Sequence, residues 1–389
     1  MVPNQAINDV ASNQTLADVW IETNVIPFYP TARIRYIYVG NEILSYYNGN
    51  RSWPYLVPAM NQIDRALKTR NIRSIKVSTT LGMDVLIDED VFPPSKARFR
   101  PDISMSVMKP MLRFLSRTKS YYSVNLYPYF VWSRSPNNVS LDYALFTGKK
   151  KNPYKDSISG LVYTNLLDQM LDSLIFAMKK LDFDNVPLYI AETGWPNAGD
   201  IDQIGANIFN AATYNRNLVR KVTAIPPAGT PARPGEVIPT DIFALYNENQ
   251  KGGPGTERHW GLLYPNGSHV YEIDLSGRTR LSEYRMPLPA PENNEKYKGK
   301  IWCVVAGGVN NQTALEAAMK SACARGKGTC RAIRPGGRCS EPASLIRRAS
   351  YAFSSYWARF RKEGEFCFFN GLAVQTTQNP SKSNYSDRL

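Results

Sequence analysis

Histidine is nearly missing from this chain: His259 and His269 are the only two in 389 residues. They stand ten positions apart, so a histidine-dependent triad or a His-ligated metal centre has little to be built from. Cysteine is missing from the first 302 residues, and all five (Cys303, Cys323, Cys330, Cys339, Cys367) fall in the last 87. They contain no CxxC pair and no histidine lies among them, which disfavours zinc and favours a disulfide framework formed in an oxidising compartment. No apolar run approaches the roughly 18 residues a membrane span needs. The first twenty residues, MVPNQAINDVASNQTLADVW, carry neither a basic start nor an apolar core, and the final SKSNYSDRL has no hydrophobic tail, so no secretory or lipid-anchor signal is read. No Gly-rich loop follows a strand, and Gly252-Gly253-Pro254-Gly255 is a turn, so neither a nucleotide cofactor nor a metal is expected.

What is abundant is positive charge. The formal net charge is +14, and residues 301–389 hold 13 Lys/Arg against 5 Asp/Glu. No basic stripe alternates with aromatics and no nucleic-acid-binding signature is present, so nucleic acid is not an expected partner. A basic surface suits acidic wall polysaccharide or an anionic membrane surface equally well. Hydrophobic content of 43% with 21% charged residues is that of a globular chain, expected here as a monomer. Six Asn-X-Ser/Thr sequons begin at Asn13, Asn50, Asn138, Asn266, Asn311 and Asn384 and agree with secretion.

Between residues 35 and 250, short β-rich runs alternate with helical patterns, the signature of a βα-repeated parallel sheet. Strands are predicted at 36–39, 75–80, 122–126, 188–191 and 242–246. Leu56, Met60, Ile63 and Leu67 share one helical face, as do Leu167, Met170, Leu171, Leu174, Ile175 and Met178. The domain reading is a large βα-repeated domain at 1–282, a Pro-rich then polar linker at 283–300, a small module at 301–380 with helices near 311–324 and 344–360, and a tail at 381–389.

Two segments place a glutamate at the end of a predicted strand: Tyr38-Val39-Gly40-Asn41-Glu42 and Leu188-Tyr189-Ile190-Ala191-Glu192-Thr193. In a parallel barrel such side chains point into the common mouth. A partly desolvated carboxylate there either pairs with a nearby Arg or Lys or does chemistry. Glycoside hydrolysis needs such a pair, one carboxylic acid to protonate the leaving oxygen and one carboxylate to attack the anomeric carbon.

Val39-Gly40-Asn41-Glu42, Asn125-Leu126-Tyr127-Pro128-Tyr129-Phe130, Ala191-Glu192-Thr193-Gly194-Trp195-Pro196, Leu245-Tyr246-Asn247-Glu248-Asn249-Gln250-Lys251 and Thr256-Glu257-Arg258 resemble, in order, motifs of the glycoside hydrolase family 17 endo-1,3-β-glucanases. The resemblance covers residues 1 to about 275 and implies a (β/α)8 barrel that acts with retention. It implies Glu42 as general acid/base and Glu192 as nucleophile, with carboxyl groups about 5–5.5 Å apart. Asn41 would bond the sugar 2-hydroxyl. Glu248, Lys251 and Glu257 would be a charged trio around the cleft, although Lys251 also fits a surface ion pair. Tyr127 and Trp195 would stack on or orient glucosyl rings, although both also fit mouth packing. Met1-Val2-Pro3-Asn4 resembles the end of the family's third strand, which leaves a barrel lacking about its first two to three strands.

Trp302-Cys303-Val304, Pro335-Gly336-Gly337-Arg338-Cys339, Ala349-Ser350-Tyr351-Ala352-Phe353 and Phe366-Cys367-Phe368-Phe369 resemble the X8 module of carbohydrate-binding family 43, whose members bind 1,3-β-glucan. That resemblance pairs Cys303 with Cys367 and Cys323 with Cys330. The family's usual sixth cysteine has no counterpart here, Tyr385 falling about where it would stand, which leaves Cys339 unpaired. Tyr351, Tyr356 and Trp357 are possible sugar-stacking residues. Taken together the resemblances imply retaining endo-hydrolysis of 1,3-β-glucan by a secreted or wall-located enzyme with a glucan-binding module. The alternatives are a non-catalytic glucan-binding protein with an inert barrel and an intracellular basic interaction protein with reduced cysteines.

Overall fold

The computed structural model describes residues 1–46, 52–148, 153–337, 339–340 and 344–380, so the sequons at Asn50 and Asn384, Tyr385 and the tail at 381–389 lie outside the described residues. The chain forms two compact units. One comprises Met1–Gly194, Tyr214–Phe243 and Asp274–Glu283; the other comprises Trp195–Thr213, Ala244–Ile273 and Tyr284–Leu389.

The first unit begins with helices α1 (Ile7–Ser12) and α2 (Gln14–Asn24), the second capped by the Asn13 side chain, which accepts from Thr15 N. Then follow β1 (Tyr36–Asn41), α3 (Leu56–Thr69), β2 (Lys76–Leu81), α4 (Lys109–Thr118), β3 (Tyr122–Asn125), α5 (Pro128–Arg134), α6 (Leu166–Lys179), β4 (Leu188–Thr193), α7 (Ile208–Val222) and β5 (Thr240–Ile242). The five strands form one parallel sheet in the order β1-β2-β3-β4-β5, as expected for consecutive right-handed βα units. Val2 adds a parallel bridge to the outer edge of β1, donating to Tyr38 O at 2.8 Å and accepting from Gly40 N at 2.9 Å.

Strand alternation divides the sheet chemically. Ile37, Val39, Val77, Leu81, Val124, Leu188 and Ile190 are buried apolar positions, with α3 and α4 packed against β1 and β2. The helices bury the faces their period dictates: Leu56, Met60, Ile63 and Leu67 on α3, and Met111, Leu112, Phe114 and Leu115 on α4. The opposite face of the sheet is polar and aromatic. The rings of Tyr36, Tyr121 and Tyr189 meet edge-on with centroids 5.2–5.9 Å apart, and Tyr189 Oη donates to Asp241 Oδ2 at 3.0 Å.

The predicted last strand is displaced. It ends at Ile242 rather than running to 246, because from Ala244 onward the backbone exchanges bonds with residues 260–263 (Ala244 N to Trp260 O and Leu263 N to Leu245 O, both 2.9 Å). The helix over 166–179 is also more deeply buried than its apolar stripe implies. Asp168 and Asp172 are buried along with that stripe. Lys221 reaches Asp168 Oδ1 at 2.8 Å, and Asp172 Oδ2 accepts from Ala232 N at 2.8 Å. These bonds tie α6 to α7 and to the loop that follows it.

The C-terminal part of the second unit is a two-stranded antiparallel ladder of β6 (Trp302–Val305) and β7 (Ala373–Thr376) packed with α8 (Gln312–Arg325) and α9 (Leu345–Phe360). Its core includes Cys303, Leu315, Ala349, Phe353, Tyr356, Trp357 and Cys367. Disulfides join Cys303 to Cys367 and Cys323 to Cys330, and Cys339 is a free, exposed thiol. A core of this size is small, which is why covalent staples matter to it. Residues 285–300 form no helix or strand, and most are exposed.

Burial pushes the Asp172 carboxyl up to about 6, above its ordinary 3.8. An acid raised in the folded state stabilises the fold fully below its unfolded value and loses that contribution as pH rises through its folded value. Stability should therefore fall between pH 4 and 6–7 by about 2–3 kcal/mol from this group alone. Urea unfolding across that range should show the decline in the wild type and a flatter profile in Asp172→Asn; equal slopes would assign the pH dependence elsewhere.

Candidate active site

Glu42 and Glu192 sit at the C-terminal ends of β1 and β4, and both strand ends are irregular. Along β1 the register with β2 passes from Tyr38↔Ser78 to Asn41↔Thr80, so three residues advance against two. Along β4 it passes from Val124↔Ile190 to Asn125↔Glu192, so two advance against one. Such bulges re-aim side chains and recur beside active sites. The β1 bulge uses Gly40 at φ 75°, where a Cβ would come within 2.7 Å of Ile7 Cδ1. Glu42 itself has φ 50°, a left-handed conformation that a glutamate holds only when its surroundings impose it. Its N–H donates to Thr80 O at 2.9 Å.

The side chains at these ends form one hydrogen-bonded set. Asn125 Nδ2 donates to Glu42 Oε1 at 3.0 Å and to Asn41 Oδ1 at 3.1 Å. Thr80 Oγ1 donates to the same Asn41 Oδ1 at 2.6 Å, so the Asn41 amide oxygen accepts twice and Nδ2 is its donor. Asn4 clamps the Asn41 backbone from the other side, donating to its carbonyl at 2.9 Å and accepting from its N–H at 2.8 Å. Tyr127 Oη donates to Glu192 Oε2 at 2.7 Å. Tyr127 is held in place by edge-on contact with Phe130 and Phe243, at 5.7 and 6.4 Å between centroids. Because Asn125 is the ladder partner of Glu192 and also binds Glu42, the two acids flank a single residue. Asn125 Oδ1 is buried without a hydrogen-bond partner. Glu42 and Glu192 are both half-buried.

The other expected site residues are placed as follows. Trp195 is fully buried and gives its indole N–H to Gly205 O at 2.8 Å. A ring with no accessible face packs and cannot lie against a sugar, so the stacking expected of it is not what its position supports. In the second unit Lys251 Nζ lies 3.1 Å from Glu257 Oε2 and 3.4 Å from Glu248 Oε2. Burial pulls the Lys251 ammonium down, but the bonds and charges of Glu257 and Glu248 outweigh it and leave it raised. In the small module Tyr356 and Trp357 are core residues, whereas Tyr351 is half-exposed. Thr80 and the bonding of Asn125 had no sequence signal beyond their position at the ends of predicted strands. No cluster able to hold a metal ion occurs among the described residues.

Paired strand-end carboxylates on a parallel sheet, braced by an amide and a phenol, are the equipment of a glycoside hydrolase. Residues 1–275 match the family described as glycosyl hydrolases family 17. The chain belongs to that family. Residues 301–374 match the X8 domain. A relative from Arabidopsis thaliana, "Probable glucan endo-1,3-beta-glucosidase A6", is 55% identical over 97% of this chain and 78% of its own length. A second from that plant, "Glucan endo-1,3-beta-glucosidase 13", is 37% identical over 98% of this chain and 73% of its own. Among solved structures, a β-1,3-glucanase and allergen of Cryptomeria japonica pollen is 42% identical with a TM-score of 0.65, over 71% of this chain and 82% of that one. A plant β-glucan endohydrolase is 35% identical with a TM-score of 0.62, over 70% of this chain and 82% of that one. The sheet of this family 17 chain is thus of the TIM-barrel type, with five parallel strands formed here.

Gly40→Ala should lower unfolding stability by about 1–3 kcal/mol, since it forces a Cβ into a left-handed residue against Ile7. Denaturant melts of the variant and of the Gly40→Ala/Ile7→Ala double variant separate the two causes. Measured against Ile7→Ala alone, whose buried side chain carries its own cost, a negligible further loss in the double variant would mark the clash as dominant, and an undiminished loss the backbone.

Proposed function

We propose that this chain is a retaining endo-hydrolase of 1,3-β-glucan, with Glu192 as nucleophile and Glu42 as acid/base. The observation that carries the reading is Asn125, which is the ladder partner of one acid and the hydrogen-bond donor to the other. In the first step Glu42 delivers its proton to the glycosidic oxygen as that C–O bond breaks. Glu192 attacks the anomeric carbon and forms a glycosyl ester. In the second step Glu42, now a carboxylate, takes a proton from water. The resulting attack at the same carbon releases Glu192 and restores the anomeric configuration.

The surroundings supply the remaining roles. Tyr127 Oη, 2.7 Å from Glu192 Oε2, holds one oxygen of the attacking carboxylate in place. Asn41 Nδ2 suits a ring hydroxyl, the 2-hydroxyl above all, where hydrogen bonds strengthen as the oxocarbenium character develops. Lys251, with Glu248 and Glu257, is assigned to substrate binding on the strength of the family resemblance. Residues 1–282 form the hydrolase, 283–300 the connection and 301–380 a glucan-binding module, on which Tyr351 is an accessible aromatic. The four bonded cysteines and the sequons fit a secreted protein acting on wall glucan as a monomer.

Purified protein should release short oligosaccharides from laminarin, and Glu192→Gln should abolish release. Glu42→Gln should lower kcat by roughly 10²–10⁴-fold, the span of general acid catalysis. Binding of the polymer without turnover by wild type would instead make the protein a glucan-binding one with an inert barrel. Tyr127→Phe should lower kcat by roughly 10–100-fold at unchanged far-UV circular dichroism, the worth of one hydrogen bond to a charged group. An unchanged kcat would make Tyr127 a packing residue.

A further inference from the structure

The small C-terminal module and two hydrolase loops of the second unit are joined by specific bonds. Gln375 on β7 is buried, with 8% of its surface exposed, and a buried amide needs partners. It finds both in one residue 173 positions away: Gln375 Nε2 donates to Asp202 Oδ1 at 2.9 Å, and Asp202 N donates to Gln375 Oε1 at 3.4 Å. Nearby, the Arg258 guanidinium lies 4.1 Å from the centroid of the Phe368 ring. Burial pulls Arg258 below the ordinary arginine range, the mark of a guanidinium partly removed from water. Both docking residues are fixed from within the module by one disulfide. Phe368 follows Cys367 in the chain, and Gln375 is the ladder partner of Cys303.

The two loops are also tied to each other. Asp200 Oδ2 accepts from Gly255 N at 2.8 Å, Gln203 Oε1 from Thr256 N at 2.9 Å, and Gln203 Nε2 donates to Thr256 Oγ1 at 2.9 Å. Arg258 Nη1 continues the path, donating to Lys251 O at 3.1 Å and to Gly253 O at 3.2 Å. The connecting segment is strapped to the same region. Asn293 O accepts from Gly205 N at 2.7 Å, Asn293 Oδ1 from Asn207 Nδ2 at 2.9 Å, and Asn294 Oδ1 from Asn210 Nδ2 at 2.7 Å.

We propose that the module at 301–376 is a seated brace and not a free tether: Phe368, through Arg258, sets the position of the turn that carries Lys251, and the Asp202–Gln375 pair locks the seat. A tethered module would raise polymer binding and leave the hydrolase loops untouched. A seated one makes the order of residues 251–258 depend on side chains more than 100 positions away. The seat stands independently of the proposed chemistry; its consequence for hydrolysis rests on the reading that Lys251 borders the substrate.

Hydrogen–deuterium exchange on the full chain tests this directly. Phe368→Ala should speed amide exchange at 251–258 by about 2- to 30-fold, the factor a cation–π contact is worth. Asp202→Ala, altered on the hydrolase side, should speed exchange of β7 and cleavage within 286–300 by added protease. Unchanged exchange in both variants, with α9 still protected, would overturn the proposal. If Phe368→Ala unfolds the module, seen as lost protection of α9, the Asp202→Ala result decides alone. Turnover of a soluble 1,3-β-gluco-oligosaccharide of about five units, too short to bridge to a separate binding face, reads the consequence. Faster exchange with unaltered turnover keeps the seat and removes Lys251 from the substrate path.

Discussion

Asn125 is the residue through which the acids are held in register. As the ladder partner of Glu192 its backbone fixes where that carboxylate leaves the sheet, and its amide holds the Glu42 carboxylate at 3.0 Å. Neighbouring parallel strands are separated by about 4.8 Å, so glutamates on β1 and β4, with two strands between them, do not meet by sheet geometry alone. The bulges in β1 and β4 and the left-handed backbone at Glu42 turn the side chains out of the strand alternation, and Asn125 takes up the result. The strain at Glu42 is sustained because Asn4, Thr80 and Val2 bond the backbone from Gly40 to Glu42.

This arrangement explains why the inner face of the sheet is polar. Ser78, Thr80, Ser123 and Asn125 are buried, yet Ser78 Oγ donates to Tyr121 O at 2.8 Å and lies 3.3 Å from Ser123 Oγ. An apolar face would pack as well and would leave the carboxylates with nothing to orient them. Hydroxyls and amides satisfied by one another are rigid, and rigidity is what positions a nucleophile to within a fraction of an ångström. The division of labour is by face: apolar side chains toward the helices hold the strands, and polar ones opposite hold the acids.

The legible part of this design was what depends on local pattern. β1 to β4, the faces of α3 and α6, and both glutamates at strand ends follow from periodicity and from motifs that a family resemblance could recognise. What escaped was tertiary. A bulge shifts register by one residue and leaves no trace in composition. The strand predicted over 242–246 stopped at Ile242 because residues 260–263, far along the chain, compete for the backbone beyond it. Trp195 occupies a motif position where an aromatic ring suggests sugar contact, and only its complete burial with the N–H spent on Gly205 shows it to be packing. Thr80 carries no signal because a threonine in a strand is ordinary until the Asn41 side-chain oxygen is found 2.6 Å away.

The charged trio shows why backbone anchoring matters more than ion pairing on an accessible turn. Lys251, Glu248 and Glu257 are 37%, 46% and 28% exposed, and pairs so placed contribute little to holding a loop. A lysine whose position depended on those pairs would wander with salt. Its main chain is instead gripped by Arg258, and the residues beyond it by Asp200 and Gln203, through bonds to backbone groups. The ion pairs then tune the charge of a side chain whose location is already decided. By the same logic a ring from the C-terminal module placed on Arg258 meets a group that bonds the main chain of the turn at Lys251 and Gly253.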